Sequence, residues 1–268
     1  MPTDQWSDAV SSVSGEHSAF GFLLRRWRRQ RGMSQLDLAL ATGVSGRHLS
    51  FVETGRSRPK RALVLTLAEA LDIPLRERNE LLLAAGLPAA YFEFDYDSAE
   101  LSVYRSAIAE LIENHLPYPA LVLNRWGDVV DANRTAFAMF PELVAEQPVN
   151  LYQAYLSSDH WKAVIENWSE VAWAAYGHLQ GDAARYCGDE RMQSLLRFIE
   201  DCLKDVPKPV NLPSSPSIRT RLNLNGQVLE TTTMVARFGP VNDVFLSELR
   251  VEMIFPANDN ARRFFAMF

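Results

Sequence analysis

The chain has 268 residues, 47% hydrophobic and 22% charged, which is enough for two compact domains, each with a core of its own. That composition argues against wholesale disorder, and no stretch approaches the roughly 20 apolar residues of a bilayer span. The opening MPTDQWSDAVSS has neither the basic nor the apolar segment of a secretory signal, so a cytoplasmic protein that avoids membranes is expected. Its two cysteines, Cys187 and Cys202, are expected there as free thiols. The formal net charge of −6 conceals an asymmetry, because residues 20–87 carry 12 Lys/Arg against 6 Asp/Glu while the rest is acidic. One basic segment in an acidic chain suggests a localised surface for a polyanion.

Residues 1–16 read as a flexible lead-in. From His17 to Arg31, Phe20, Leu23, Leu24 and Trp27 recur at helical spacing, and Gly32 ends the helix. Ser34 caps a second helix with Asp37 in its first turn and Leu36, Ala39 and Leu40 inward. Thr42-Gly43-Val44 is a tight turn, and Ser45 caps a third helix running to about Thr54. Pro59 and Pro74 open a fourth and a fifth helix, the last closed by Gly86 and Pro88. Residues 17–87 therefore form a five-helix domain.

Residues 88–117 read as a linker and connecting helix, with Ser98 as its cap and Leu101, Tyr104, Ile108, Leu111 and Ile112 along it; this helix is a candidate for dimer contacts. Strands are expected at Tyr118–Leu123 and Asp128–Val130, around a turn at Arg125–Gly127. Helices are expected at Ala132–Phe140, Trp161–Tyr176 and Glu190–Leu203. The end is β-like: Ile218–Leu224, an Asn225-Gly226 hairpin turn, Gln227–Arg237 and Val241–Ile254. Residues 118–258 make a mixed α and β domain, and 259–268 read as a C-terminal tail. The fold class is mainly α with an α+β second domain.

The most informative stretch is GMSQLDLALATGVSGRHLSFVETGRSRP, residues 32–59. At 100° per residue the third helix puts Arg47, Ser50, Phe51 and Thr54 on one face and Leu49, Val52 and Glu53 on the other. A helix held across a sharp turn, with its outer face free, is what entry into a DNA major groove requires. Arg47 is the candidate for base readout, since its guanidinium fork matches guanine O6 and N7. His48 is placed to reach a base or a phosphate, and Phe51 a thymine methyl or its own neighbours. Gln35 is placed for a phosphate or an adjacent side chain. Ser45 and Ser50 add hydroxyls, and Thr54, Arg56, Arg58 and Lys60 follow toward the phosphate backbone. Arg25, Arg26, Arg28, Arg29 and Arg31 surround the first helix and cannot all face DNA. Glu53, turned inward, needs a partner.

The pattern Arg28, Ser34-Gln35, Ala39, Gly43-Val44-Ser45, Leu49 and Glu53-Thr54-Gly55-Arg56-Ser57-Arg58-Pro59 resembles the Cro/C1-type (XRE) helix-turn-helix family over roughly residues 18–87. The resemblance implies a lambda-repressor-like domain and an ion pair between Arg28 and Glu53. Gly46 stands where that family often has Gln or Ser. It weakens the helix by about 1 kcal/mol and removes a contact, so the operator does not follow by analogy.

YPALVLNRWGDVVDANRTAFAMF, Val149-Asn150-Leu151 and the terminal LETTTMVARFGPVNDVFLSELRVEMIFPAND are similar to the MmyB-like ligand-binding domain. That similarity implies a PAS-like fold, an antiparallel sheet with helices over one face, and a small apolar effector of fatty-acid type. Tyr152, Tyr155, Tyr176, Trp161, Trp168 and Trp173 concentrate aromatic surface in the helical middle, as a pocket lining or an ordinary core. Arg134 or Arg185 is placed to meet a carboxylate.

Five scattered histidines give no metal-ligand spacing, and no phosphate loop, dinucleotide fingerprint or nucleophile elbow is visible, so no catalytic site, cofactor or metal is expected. The reading is a homodimeric, effector-sensing regulator of double-stranded DNA. The alternative is a protein-interaction or antitoxin-like module that uses the helix-turn-helix as a scaffold.

Overall fold

The computed structural model describes residues 19–145, 148–186, 188–209, 218–224 and 226–268. The lead-in 1–16, Asn225 of the hairpin turn and Cys187 lie outside the described residues. The chain divides into two compact units: the first runs to Phe92 and takes in residues 184–187, and the second comprises Glu93–Ala183 and Gly188–Phe268.

The first unit holds five helices, α1 (Ala19–Gln30), α2 (Gln35–Thr42), α3 (Gly46–Glu53), α4 (Arg61–Ala70) and α5 (Leu75–Ala84). Phe20, Leu24, Trp27, Leu38, Leu49, Val52, Val64, Leu67, Leu81 and Leu82 form one buried core. In α2 the inward face differs from the sequence expectation. Leu36 and Leu40 are 66% and 73% exposed, and Leu38 and Ala39 are buried. QLDLALAT is apolar nearly all round, so its periodicity selects no face. Packing against the rest of the core selects Leu38 and Ala39 instead. Residues 88–91 are strapped to α5: Asn79 donates to the Tyr91 carbonyl (2.9 Å) and accepts from the Ala90 and Tyr91 amides (2.9 and 3.1 Å).

The second unit begins with α6 (Ser102–Asn114). Ser98 does not cap it: its hydroxyl is buried without a partner among the described residues, and Leu101 occupies the N-cap. Nor is α6 merely a connector, since Leu101, Ile108 and Ile112 are buried against Ala120 and Val122. There follow β1 (Ala120–Leu123), β2 (Val129–Ala132), α7 (Arg134–Met139), α8 (Glu142–Ala145), α9 (Leu151–Ser157), α10 (Asp159–Val164), α11 (Trp168–Arg185), α12 (Glu190–Leu203), β3 (Thr220–Leu224), β4 (Gln227–Arg237), α13 (Val244–Glu248), β5 (Arg250–Pro256) and α14 (Asp259–Phe265).

The five strands form an antiparallel sheet in the order β2-β1-β5-β4-β3. Successive strand residues point to opposite faces. Val122 and Val251 pack with α6, while their neighbours Leu121 and Leu123 pack with Ala136 of α7 and Leu151 of α9. Helices therefore cover both faces, and not one as the resemblance implies.

Three further expectations change. The helix read as 161–176 breaks at Ile165–Asn167, where Ile165 bridges Leu222 and the Asn167 side chain bonds Arg219 O and Arg221 N (2.8 and 2.9 Å). The strand read as 241–254 starts as a helical turn. Asp243 Oδ1 accepts from the Leu246 amide at 2.8 Å, so α13 forms and the strand begins only at Arg250. The supposed tail is α14, capped by Asn258, with Phe265 fully buried beside Trp161 and Leu229. Cys202 is a free, half-buried thiol.

Candidate nucleic-acid interface and effector site

The helix pair α2–α3 is built from local chemistry. The Asp37 amide donates to Ser34 Oγ (3.1 Å) and the Ser34 amide to Asp37 Oδ2 (2.8 Å), closing a reciprocal cap. The side-chain and backbone hydrogen bonds from Ser34 hold the Asp37 carboxyl below its ordinary pKa. Gly43, at φ +70°, ends α2, and the Val44 amide bonds Ala39 O at 3.1 Å. Ser45 Oγ then accepts from the His48 amide at 3.2 Å and starts α3.

The inner face of α3 is locked. Glu53 is fully buried. Arg28 reaches it through Nε (2.7 Å to Oε1) and Nη2 (3.1 Å to Oε2), and Gln35 Nε2 donates to Oε2 at 2.7 Å. Arg25 Nε stands 3.6 Å from Oε2. Burial works against the charged carboxyl. The bonds from Arg28 and Gln35, with the charges of Arg28 and Arg25, outweigh it and leave Glu53 below its ordinary pKa. Gln35 thus takes the adjacent side chain among the two roles expected of it. Of the five arginines around α1, Arg25 and Arg28 serve Glu53, and Arg31 donates to Leu71 O and Asp72 O at 2.8 and 3.0 Å.

Gly21 was not singled out in the sequence. Here α1 passes so close to α3 that a Cβ on Gly21 would lie 2.1 Å from the Glu53 carbonyl oxygen. A glycine inside a helix pattern was the available signal.

The outer face of α3 is open. Gly46, Arg47 and His48 are exposed, and Ser50, Phe51 and Thr54 are half-buried. The Arg47 guanidinium lies over the Phe51 ring, 5.3 Å from its centroid, one helical turn on. Thr54 Oγ1 is turned back onto Ser50 O at 2.8 Å. Arg56, Arg58 and Lys60 are exposed in the loop that leads into α4.

In the second unit the predicted aromatic residues separate. Tyr155, Trp161 and Trp168 join one apolar cluster with Phe140, Ile165, Leu222 and Phe265. Trp161 donates to Glu142 Oε1 at 3.0 Å, whereas Glu142 Oε2 and Trp168 Nε1 are buried without partners among the described residues. Trp173 stacks edge-on to Tyr176 and donates to Val206 O, and Arg134 and Arg185 are exposed. Tyr152 is buried, and its hydroxyl accepts from Arg250 Nη2 at 3.1 Å. Burial pushes the Tyr152 phenol up to about 12, against the pull of the Arg250 charge, and burial likewise raises Tyr155.

The strand residues on the sheet face turned away from α6 carry no signal in the sequence pattern. Arg250, 4% exposed, also bonds Glu252 Oε1 (3.0 Å) and Asn124 O (3.2 Å), and β4 places Arg237 opposite it. The β1–β2 turn is equally tied down: Arg125 meets Asp189 and Glu248, each at 2.7 Å, and Asp128 meets Arg191 at 2.6 Å. A cleft of about 270 Å³ opens between α6 and the sheet, bordered by Ala107, Ile108, Leu111, Phe238 and Val251 and also by Arg237 and Arg250, and none of the predicted ligand residues lines it.

A family model for the MmyB-like transcription regulator ligand-binding domain matches residues 104–267, and a helix-turn-helix model matches residues 24–78. The chain is similar to the uncharacterised HTH-type transcriptional regulator Rv0023 of Mycobacterium tuberculosis, 38% identical over 200 residues, which cover 68% of this chain and 76% of the relative. It is also similar to the uncharacterised HTH-type transcriptional regulator RghRB of Bacillus subtilis, 34% identical over 106 residues, which cover 37% of this chain and 73% of the relative. A capped helix pair with an open outer face, followed by this sheet domain, agrees with both matches: the chain belongs to the helix-turn-helix transcription regulators that carry an MmyB-like ligand-binding domain.

Proposed function

We propose that the protein acts as a cytoplasmic homodimer on double-stranded DNA, with α3 as the recognition helix, and that a small apolar molecule with a polar head controls it. The observation that carries the reading is the contrast between the two faces of α3. Leu49, Val52 and Glu53 are anchored inside, and Arg47 and His48 stand free outside with Phe51 under the arginine. In this reading Arg47 grips a guanine edge, His48, Ser50 and Phe51 add contacts, and Ser45, Arg56, Arg58 and Lys60 hold the phosphates, while Thr54 donates its hydroxyl proton to Ser50 O. Gln35 positions α3 through Glu53. Two copies read half-sites about one helical turn apart.

The effector reading rests on the sheet face turned away from α6. Tyr155, Trp161 and Trp168 offer an apolar wall with two orphaned polar atoms, and Tyr152, Arg237 and Arg250 offer donors for a head group. A long-chain fatty-acid-like molecule has that chemistry. The effector shifts DNA binding only through a difference in its affinity for the two states of the dimer.

The test is the salt dependence of duplex affinity. Each lost phosphate contact flattens the slope of log K against log salt by about 1. Arg58→Ala and Lys60→Ala each flatten it in the proposed reading. Salt slopes equal to wild type in both variants remove these residues from the interface. The second reading, a scaffold for protein contacts, predicts a stable heterocomplex and no effect of Arg47→Ala on any DNA affinity.

A further inference from the structure

Arginines that lie over aromatic rings recur in this chain. Arg31 stands over Trp27 at 5.2 Å, Arg78 over Tyr91 at 5.9 Å, Arg191 over Trp126 at 4.7 Å and Arg250 over Tyr152 at 5.9 Å. Each of these also donates hydrogen bonds to the protein: Arg31 to Leu71 O and Asp72 O, Arg78 to Ile73 O, Arg191 to Asp128 and Arg250 to Glu252. Arg47 differs. Its guanidinium lies 5.3 Å from the Phe51 ring centroid, and it makes no hydrogen bond or ion pair among the described residues. A carboxylate holds a guanidinium by taking its N–H donors, as Glu53 does with Arg28. A ring holds it through the π face and leaves all five donors at the edge. Arg47 is therefore held in place with every donor still available for a base.

Phe51 is a fixed support. Its ring is half-buried, one helical turn beyond Arg47. Its backbone carbonyl accepts from the Ser57 amide at 3.1 Å, which ties the last turn of α3 to the loop that follows, and Thr54 Oγ1 donates to the same carbonyl at 3.3 Å. On the other side of Arg47, Gly46 is exposed, and a Cβ built there would meet nothing within 4 Å. With no side chain at Gly46 to meet a base, discrimination at the start of α3 falls on Arg47. A free arginine loses rotamer freedom when it grips guanine, and one already resting on a ring loses less. That advantage is realised only where the two-bond grip forms, so it widens the gap between guanine and the other bases.

We propose that Phe51 is a positioning residue for Arg47: beyond the contact its edge adds, its face holds the guanidinium in the pose that grips guanine O6 and N7, and so sets the base specificity of α3. This rests on the reading of α3 as the recognition helix.

The test has two arms, both on the full chain. The first uses no DNA. In NMR spectra of protein carrying labelled arginine, the Arg47 side-chain protons should be moved upfield by the ring, and Phe51→Leu should return them to the positions of exposed Arg58. Arg47 protons already at the Arg58 positions in wild type overturn the proposal. The second arm uses the duplex that wild type selects from a random pool, with its four forms at the base pair relaxed by Arg47→Ala, and thermal melting as a folding control. Phe51→Leu keeps the apolar bulk and removes the ring. It should cut the preference for guanine at that base pair about two- to fivefold, the size of an exposed cation–π contact, more than at any other position and with the salt slope of wild type. Phe51→Tyr keeps the ring and should keep the preference. Added to Arg47→Ala, Phe51→Leu should cost nothing further at this base pair. A preference untouched by Phe51→Leu, a loss confined to another base pair, or single losses that add in the double variant overturns the proposal and leaves the DNA reading standing. A wild type that selects no motif removes the DNA reading itself, and the proposal with it.

Discussion

Arg28 Nε lies 2.7 Å from Glu53 Oε1, joining the first helix to the last residue of α3. The carboxylate also takes a bond from Gln35, so α1, α2 and α3 meet on one buried charge. Its removal strands the donors of Arg28 and Gln35. Glu53→Ala should destabilise the first unit by about 3–5 kcal/mol, the cost of breaking a buried pair from one side. Urea unfolding followed by a first-unit signal such as Trp27 fluorescence checks this, and a loss below about 1 kcal/mol contradicts it.

The same carboxyl makes stability depend on acid. Its folded pKa is depressed below the ordinary 4.5, so the unfolded chain takes up the proton first as pH falls. The contribution is complete above about 4.5 and is lost as the pH drops through the lower folded value. Wild type should therefore lose Tm in that window. Glu53→Gln should start lower and lose less there, and parallel Tm-against-pH curves for the two proteins contradict the assignment.

Gly21 admits no side chain where it stands. An added methyl 2.1 Å from the Glu53 carbonyl oxygen meets backbone, which cannot swing away. Gly21→Ala gains helix propensity of about 1 kcal/mol but should still be net destabilising by about 1–3 kcal/mol through overpacking. Denaturant unfolding that finds the variant more stable than wild type contradicts the close approach.

The second unit depends on Arg125, 2% exposed between Asp189 and Glu248. Arg125→Met leaves two carboxylates without their cation and should cost about 3–5 kcal/mol. The loss should fall on a probe of the second unit such as Trp126, with the Trp27 transition unmoved. An unchanged second-unit transition contradicts the proposed weight of the two pairs.

The helix-turn-helix was legible because its signals are local. Ser34, Gly43 and Ser45 each act within four residues, and the inward set Leu49, Val52 and Glu53 follows from helical period alone. Leu36 and Leu40 were misplaced because α2 is apolar on most sides and only tertiary packing selects its buried face. Arg250 was invisible for the opposite reason: it sits inside the strand-like run FLSELRVEMIF, and its partner Tyr152 is about a hundred residues away. The break before β5 was missed because one side chain, Asp243, caps a single helical turn in a stretch with strand composition. Among the six predicted ligand residues, hydrophobicity identified three that share a cluster, but nothing in the pattern told Trp173 or the exposed Arg134 apart from them.

The exposed face of α3 is proposed to read base sequence. Selection of bound duplexes from a random pool at about 150 mM salt, where non-specific affinity is suppressed, tests it most directly with wild type and Arg47→Ala side by side. Wild type should enrich a palindromic motif, with one base pair in each half-site relaxed in Arg47→Ala at a cost of about 1–3 kcal/mol. The same motif enriched with equal strength by both proteins would contradict it.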